Sequence, residues 1–177
     1  MKRIAVIGCG GSGKSTLAAK LGEKLNLPVH HLDSFFWKPG WVQTPREEWR
    51  EIHDRLCADD EWIIDGNYHS TMDKRLEASD TVVFLDLPTR ECLLGACRRV
   101  LKFYGRDRPD MTRGCRERFD LEFMKWIWNF RKDIRPQVLE KLNVLNGEKR
   151  IVVLKSRREI RDFLEQKLGV ANSKQQE

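Results

Sequence analysis

No stretch of this chain approaches the roughly 18 consecutive apolar residues of a membrane-spanning helix. The first residues run straight into Lys2-Arg3-Ile4-Ala5-Val6-Ile7, without the apolar run and small-residue cleavage site of a secretory signal; the cytoplasm is the expected compartment. Cysteine is present but unorganised. Cys9, Cys57, Cys92, Cys97 and Cys115 form no C-x-x-C pair, and the odd count of 5 argues against a disulfide framework. Cys92 and Cys97, which fall on one expected helix, read as buried or half-buried free thiols rather than metal ligands. Helix-turn-helix, zinc-finger and RNP-type patterns are missing too, so nothing here reads nucleic-acid sequence. With no repeat, low-complexity tract or linker, the 177 residues are expected to form one domain.

The net charge of +6 is modest but unevenly spread. Arg98, Arg99, Lys102, Arg106, Arg108, Arg113, Arg116 and Arg118 crowd one segment, against Asp107, Asp110 and Glu117. A segment of this kind faces a polyanion or folds over phosphates, and composition does not choose between them.

What the chain does have is a complete phosphate-binding loop. Gly8, Cys9, Gly10, Gly11, Ser12, Gly13, Lys14 and Ser15, followed by Thr16, match G-x-x-x-x-G-K-[ST] at every fixed position. A β-branched run precedes the loop, and Leu17, Leu21 and Leu25 form a helical stripe after it. Strand, glycine-rich turn and helix are the context in which backbone N–H groups converge on an anion. The expected ligand is a nucleoside triphosphate, with Lys14 on the β- and γ-phosphates and the Ser15 hydroxyl on Mg²⁺.

Short buried strands then alternate with helices. Strands are expected at 28–33, 61–66, 81–86 and 151–154, and helices at 45–57, 70–78, 88–104 and 119–142, the last broken near Pro136. Thr44-Pro45-Arg46-Glu47 and Ser156-Arg157-Arg158-Glu159 both fit capping boxes. Trp49, Ile52 and Leu56 are expected to face inward from one helix, and Leu93, Leu94, Cys97, Val100 and Leu101 from another. Gly169 suits a helix end, and 170–177 is expected to fray. Alternation of this kind predicts an α/β fold, a parallel sheet with helices on both faces.

Four motifs carry a resemblance: Gly-Cys-Gly-Gly-Ser-Gly-Lys-Ser-Thr (8–16), Leu-Asp-Ser-Phe-Phe-Trp-Lys-Pro-Gly-Trp (32–41), Asp-Gly-Asn-Tyr (65–68) and Phe-Leu-Asp-Leu-Pro (84–88). The chain resembles the adenylate-kinase-related P-loop kinases, and within them the bacterial proteins called "DNA topology modulation protein". The resemblance spans essentially the whole chain. It implies a P-loop NTPase fold of nucleoside monophosphate kinase type, with five parallel strands in the order 2-3-1-4-5. It also implies an acceptor-binding arm, here about 34–60, and a lid, about 105–118. Topoisomerase chemistry is not implied, since no tyrosine sits in a DNA-cleavage context.

Phosphoryl transfer needs the phosphates positioned, a metal, and cations around the transferring group. Lys14 and Ser15 meet the first two needs. Asp65, ending an apolar strand, is the candidate second metal residue, or else a turn-forming Asp before Gly66. Asp33 is placed beside the phosphate loop by the expected strand order. It reads as a base for an attacking hydroxyl or as a cap for the next loop, and it tilts the reading toward a hydroxyl rather than a phosphate acceptor. By position in the family plan, Arg98, Arg106 and Arg113 are the expected lid cations. Arg75 is read as binding an anionic acceptor or as an exposed helix arginine. Phe35, Phe36, Trp37 and Trp41 read mainly as packing between arm and core, with stacking on a flat acceptor as the alternative. His30 and His31 read as packed or hydrogen-bonded rather than as ligands, and of Trp126 and Trp128 at least one is expected outside the core. The leading expectation is therefore a Mg-ATP-dependent kinase acting on a small molecule or nucleotide. The alternatives are an ATP-binding regulator that touches DNA through its basic segment, and a non-catalytic ATP binder.

Overall fold

The computed structural model describes residues 1–172. Fifteen elements follow in chain order: β1 (Arg3–Gly8), α1 (Lys14–Leu25), β2 (Val29–His31), α2 (Leu32–Phe36), β3 (Trp37–Lys38), β4 (Val42–Gln43), α3 (Arg46–Ala58), β5 (Trp62–Asp65), α4 (His69–Ala78), β6 (Thr81–Leu85), α5 (Thr89–Phe103), α6 (Leu121–Asp133), α7 (Arg135–Val144), β7 (Arg150–Leu154) and α8 (Arg157–Asn172). Five strands form one parallel sheet, β2-β5-β1-β6-β7. Counting only its own strands, this is the expected order 2-3-1-4-5.

Strand alternation divides the core between the two sheet faces. Ala5 and Ile7 of β1 point to the face covered by Trp49, Met72, Ala96, Ile127 and Phe130. Ile4 and Val6 point to the other, under Leu17, Leu21, Phe163 and Leu164. Burial on both sides is why β1 and β6 carry continuous apolar runs. Among the described residues no helix is long and apolar enough to cross a membrane.

Several local expectations are corrected. The second strand stops at His31, and Leu32 and Asp33, expected as its last residues, instead open a short helix. Thr44 is not a cap: its hydroxyl donates to the Phe35 carbonyl, and Pro45 stands at the N-cap of α3. That helix buries Trp49 as expected, with His53 and Cys57 beside it, while Leu56 packs against the core only partly buried and Ile52 is half-buried. The largest departure is α5, which buries Cys92, Ala96 and Val100 while Leu94 is 50% and Leu101 83% exposed; Cys97 is exposed as well. Its inward face must be small because the phosphate loop lies against it: a Cβ on Gly95 would stand 2.1 Å from the Gly11 carbonyl oxygen.

The break near Pro136 is real, with α6 ending at Asp133 and Pro136 in the first turn of α7. The second capping box forms in part: the Glu159 amide donates to Ser156 Oγ at 3.2 Å, while Glu159 Oε2 takes the amide of Lys155, one residue before the cap, at 2.8 Å. Helix α8 continues past Gly169 to Asn172. Of the tail expected to fray, 170–172 are helical and 173–177 lie outside the described residues.

Candidate active site

Residues 8–16 leave the carboxyl end of β1 and enter α1 at Lys14. Gly11 adopts φ 71°, and a Cβ there would lie 2.1 Å from the Cys92 carbonyl oxygen, so only glycine fits. From behind, Arg157 at the start of α8 donates Nη1 to Ser12 O at 2.6 Å and Nη2 to Gly11 O at 3.2 Å. Holding those carbonyls outward leaves the loop amides free to face an anion. Lys14 Nζ donates to Cys9 O at 3.0 Å. Cys9 itself is buried at the base of the loop, where hydrogen bonding with the Cys92 thiol, and then burial, push its pKa up. Gly10, Gly11, Gly13, Lys14, Ser15 and Thr16 all line a cleft of about 1090 Å³.

The tip of β5 and the turn after it organise one wall of that cleft. Ser15 Oγ donates to Asp65 Oδ2 at 2.8 Å, and His31 Nδ1 meets Asp65 Oδ1 at 2.5 Å. Burial alone would lower the His31 pKa; the hydrogen bond and charge of Asp65 outweigh it and leave the pKa raised. Asn67 closes a two-bond ring on Gly8, donating Nδ2 to Gly8 O at 2.6 Å and accepting from Gly8 N at 3.1 Å. The Tyr68 hydroxyl donates to Asp33 Oδ1 at 2.6 Å. Burial first, then the Asp33 charge, push the Tyr68 pKa up, which keeps the phenol a donor. Asp65, at the end of β5, and Asp33, in the first turn of α2 just past the neighbouring β2, thus reach the same cleft.

The basic segment folds over the opposite wall. Arg98, Arg99, Lys102, Arg108 and Arg118 line the cleft, together with Trp37, Trp41, Phe123 and Trp126. Arg106 and Arg113, expected there, are exposed and do not line it. The chain reverses at Gly105, and the Arg106 backbone is used up between Phe103 O and Glu117 N, which turns its side chain outward. Arg113 sits in the 112–115 turn against the arm. Arg108 takes the inward place because buried Glu117 draws it in: Arg108 Nε lies 2.9 Å from Glu117 Oε2, a Coulombic contact without hydrogen-bond alignment. Arg99 shares the same carboxylate at 3.2 Å, and burial, followed by the charge of Arg108, lowers its pKa.

Segment 105–118 also touches the arm directly. Thr112 Oγ1 donates to Ser34 O, Gly40 N to Gly114 O, and Trp41 Nε1 to Arg116 O. Trp41 holds φ 64°, a conformation that bulky residues avoid, and the Arg116 bond and the Arg118 guanidinium over its ring secure it there. Phe36 packs against Trp49 and Tyr68, whereas Trp37 and Trp41 face the cleft. Trp128 is exposed and Trp126 half-buried.

Arg75 corrects both readings made of it. It is fully buried and does not line the cleft. The guanidinium instead points under the 65–68 turn, because α4 packs its Arg75 face inward beside Met72 and Leu76. Sequence reasoning also missed His31 as the partner of Asp65, and Asn67, Tyr68, Glu117 and Arg157. Asn67 and Tyr68 sit inside the 65–68 motif and His31 stands directly before the 32–41 motif; the contacts of Glu117 with Arg99 and Arg108, and of Arg157 with Gly11 and Ser12, left no local signal.

No family model matches this sequence. A curated relative, the uncharacterized protein YqaC of Bacillus subtilis (strain 168), is 28% identical over 134 residues, spanning 71% of this chain and 70% of the relative. Solved structures match over nearly the full length. Shikimate kinase from Acinetobacter baumannii in complex with shikimate has a TM-score of 0.61 at 14% identity, covering 100% of this chain and 96% of that one. A gluconokinase from Sinorhizobium meliloti 1021 has a TM-score of 0.52 at 19% identity, covering 97% and 92%. Shikimate kinase from Bacteroides thetaiotaomicron also gives 0.52 at 19%, covering 97% and 98%. At these identities the likeness is one of architecture, and the architecture of this chain is that of the P-loop kinases.

Proposed function

We propose that the protein is a Mg-ATP-dependent phosphotransferase that moves the γ-phosphoryl group of ATP to a hydroxyl of a small molecule. The observation that carries this reading is the convergence of the phosphate loop, the Ser15–Asp65 pair and Asp33 on one cleft. A serine hydroxyl 2.8 Å from a carboxylate is a hard oxygen donor set, which suits Mg²⁺. When bound, the cation would neutralise phosphate charge. Residues 8–16 would hold the triphosphate, with Lys14 exchanging Cys9 O for the β- and γ-oxygens. Asp33 would accept the acceptor's proton on Oδ2 while Tyr68 engages Oδ1. Arg98 and Arg99 from α5, with Arg108 and Arg118 from the lid segment, would cover the transferring group.

A shikimate kinase solved with shikimate and a gluconokinase share the fold, which favours a small-molecule acceptor here. On the motifs at 8–16, 32–41, 65–68 and 84–88 we further assign the chain to the group called "DNA topology modulation protein", and we read that name as a label and not a chemistry. We treat the chain as one unit with an acceptor arm and a lid, and its unpaired thiols favour the cytoplasm. Inward-facing arginines matched to Glu117 and Asp110 fit a phosphate cover better than a nucleic-acid footprint.

Transfer of labelled γ-phosphate, screened over nucleosides, nucleotides and hydroxy metabolites, tests the proposal. Transfer to a hydroxyl is expected, abolished by Lys14→Ala and slowed ~10²–10⁴-fold by Asp33→Asn with ATP affinity kept. Transfer to phosphate acceptors alone, untouched by Asp33→Asn, would sink the hydroxyl reading. Tight ATP binding without transfer to any acceptor would leave a non-catalytic binder.

A further inference from the structure

Arg75 is a buried cation with no carboxylate within ion-pair distance among the described residues. Its guanidinium meets only neutral acceptors: Nη2 donates to Gly66 O at 2.9 Å and to Asn67 O at 3.5 Å, and Nη1 lies 3.1 Å from His53 Nε2. Its Nε has no hydrogen-bond partner among the described residues. His53, equally buried, accepts only if it is neutral with its proton on Nδ1, and burial together with the Arg75 charge pushes its pKa down to about 4. Burying a charge without a counter-charge is unfavourable, and an apolar side chain of similar volume would pack at this place without that penalty. Arg75 therefore contributes something that packing does not.

The two carbonyls it holds identify the contribution. Residues 65–68 are consecutive, and each secures a different part of the cleft. Asp65 meets Ser15 and His31. Gly66 abuts Leu32, where a Cβ would come within 2.9 Å, and its amide donates to Val6 O. Asn67 clasps Gly8, and Tyr68 holds Asp33. Past Asp65 no ladder partner continues, because β1 pairs with β5 only as far as Val6↔Asp65. The Gly66 and Asn67 carbonyls are thus left without sheet partners just where the turn must be held.

We infer that Arg75 is a positioning residue, whose planar fork sets Nη1 on His53 and Nη2 on the Gly66 and Asn67 carbonyls and so fixes the 65–68 turn, aligning Asp65 for the metal and, through Tyr68, Asp33 for the acceptor. It touches neither substrate nor metal. A lysine would keep the charge but offer one ammonium where two carbonyls and an imidazole need a fork. The inference rests on the proposed roles of Asp65 and Asp33, but the geometry of the turn does not.

The test compares Arg75→Met and Arg75→Lys with the unaltered chain in two measurements. The first needs no ligand: hydrogen exchange of the amides at 66–71. Both variants should fold cooperatively, and exchange at Gly66 and its neighbours should quicken at least about tenfold while the strand amides of β1 and β6 keep their rates. The second is ATP affinity with and without Mg²⁺. The gain due to Mg²⁺ should fall about tenfold in Arg75→Met, and adding Arg75→Met to Asp65→Asn should cost no more than Asp65→Asn alone. Unchanged exchange at 66–71, or fully additive losses, overturn the assignment. So does failure of both variants to fold, which would put Arg75 in the service of the whole fold. If the unaltered protein binds no ATP, the kinase reading fails, and the exchange measurement alone decides the role of Arg75.

Discussion

Gly95 offers a test in which helix propensity and packing pull in opposite directions. It lies in the interior of α5, where replacing glycine with alanine ordinarily stabilises a helix by about 1 kcal/mol. Here the new Cβ would stand 2.1 Å from Gly11 O and 3.1 Å from Gly11 C, and real Cβ contacts essentially never fall below 3.0 Å. Helix and loop must therefore separate by roughly 1 Å, an overpacking that costs about 1–3 kcal/mol. The two effects nearly cancel in stability, leaving a loss of about 0–2 kcal/mol and a melting shift of at most about 8 °C. They do not cancel in the site, because the displaced backbone is the one that must face the phosphates. Losing one backbone hydrogen bond to a charged phosphate costs about 1.5–3 kcal/mol, so Mg-ATP affinity should fall about 10–100-fold in Gly95→Ala. Calorimetric titration with Mg-ATP, beside thermal melts, separates the two effects, with Leu94→Ala as a neighbour that points into solvent and should bind normally. Affinity within about twofold of the parent in a folded Gly95→Ala protein would refute the claim that α5 supports the phosphate loop by close approach.

Three further outcomes are expected. Asp65→Asn should change the Mg²⁺ dependence of ATP binding more than binding without metal; equal loss in both conditions would deny it a metal role. The depressed His53 pKa, about 4 against an ordinary 6.5, means that the unfolded chain binds a proton that the native state excludes; stability is full above pH 6.5 and declines as pH falls toward 4, by about 3 kcal/mol in all. His53→Gln, which can still accept from Arg75, should flatten that decline in chemical denaturation between pH 7 and 4, and an unaltered acid slope would contradict the assignment. If segment 105–118 is a lid, a bisubstrate mimic should slow its hydrogen exchange; if it is a nucleic-acid footprint, DNA binding should be steeply salt-dependent and lose about one unit of slope for each arginine removed.

The alternation of buried strands with helices and the phosphate loop were legible in the sequence because both depend on contiguous residues; the strand order was expected only from the family resemblance. The glycines at 8, 11 and 13 hold positive φ that the turn requires, and a buried parallel strand needs an unbroken apolar run such as Val82–Leu85. What was not legible depends on partners far along the chain. Leucine spacing in α5 favoured Leu94 and Leu101 as core, yet the backbone of Gly11 requires a small face, and Gly95 and Ala96 provide it. Arg106 and Arg113 resembled Arg108 in composition and setting; the pull of buried Glu117 is what tells them apart. Arg75 read as a surface or ligand-binding residue because nothing local announces two unpaired carbonyls waiting beneath a turn.

The grip of Arg157 on Gly11 and Ser12 also bears on how the chain is made. The phosphate loop is synthesised before the guanidinium that braces it, which follows only after β7, and β1 cannot be flanked on both sides until β5 and β6 have followed it. A nascent chain thus carries the loop's complete sequence well before it carries the brace that shapes the loop. On the proposed reading, products that stop short of β7 and Arg157 should be inert toward nucleotide rather than partly active.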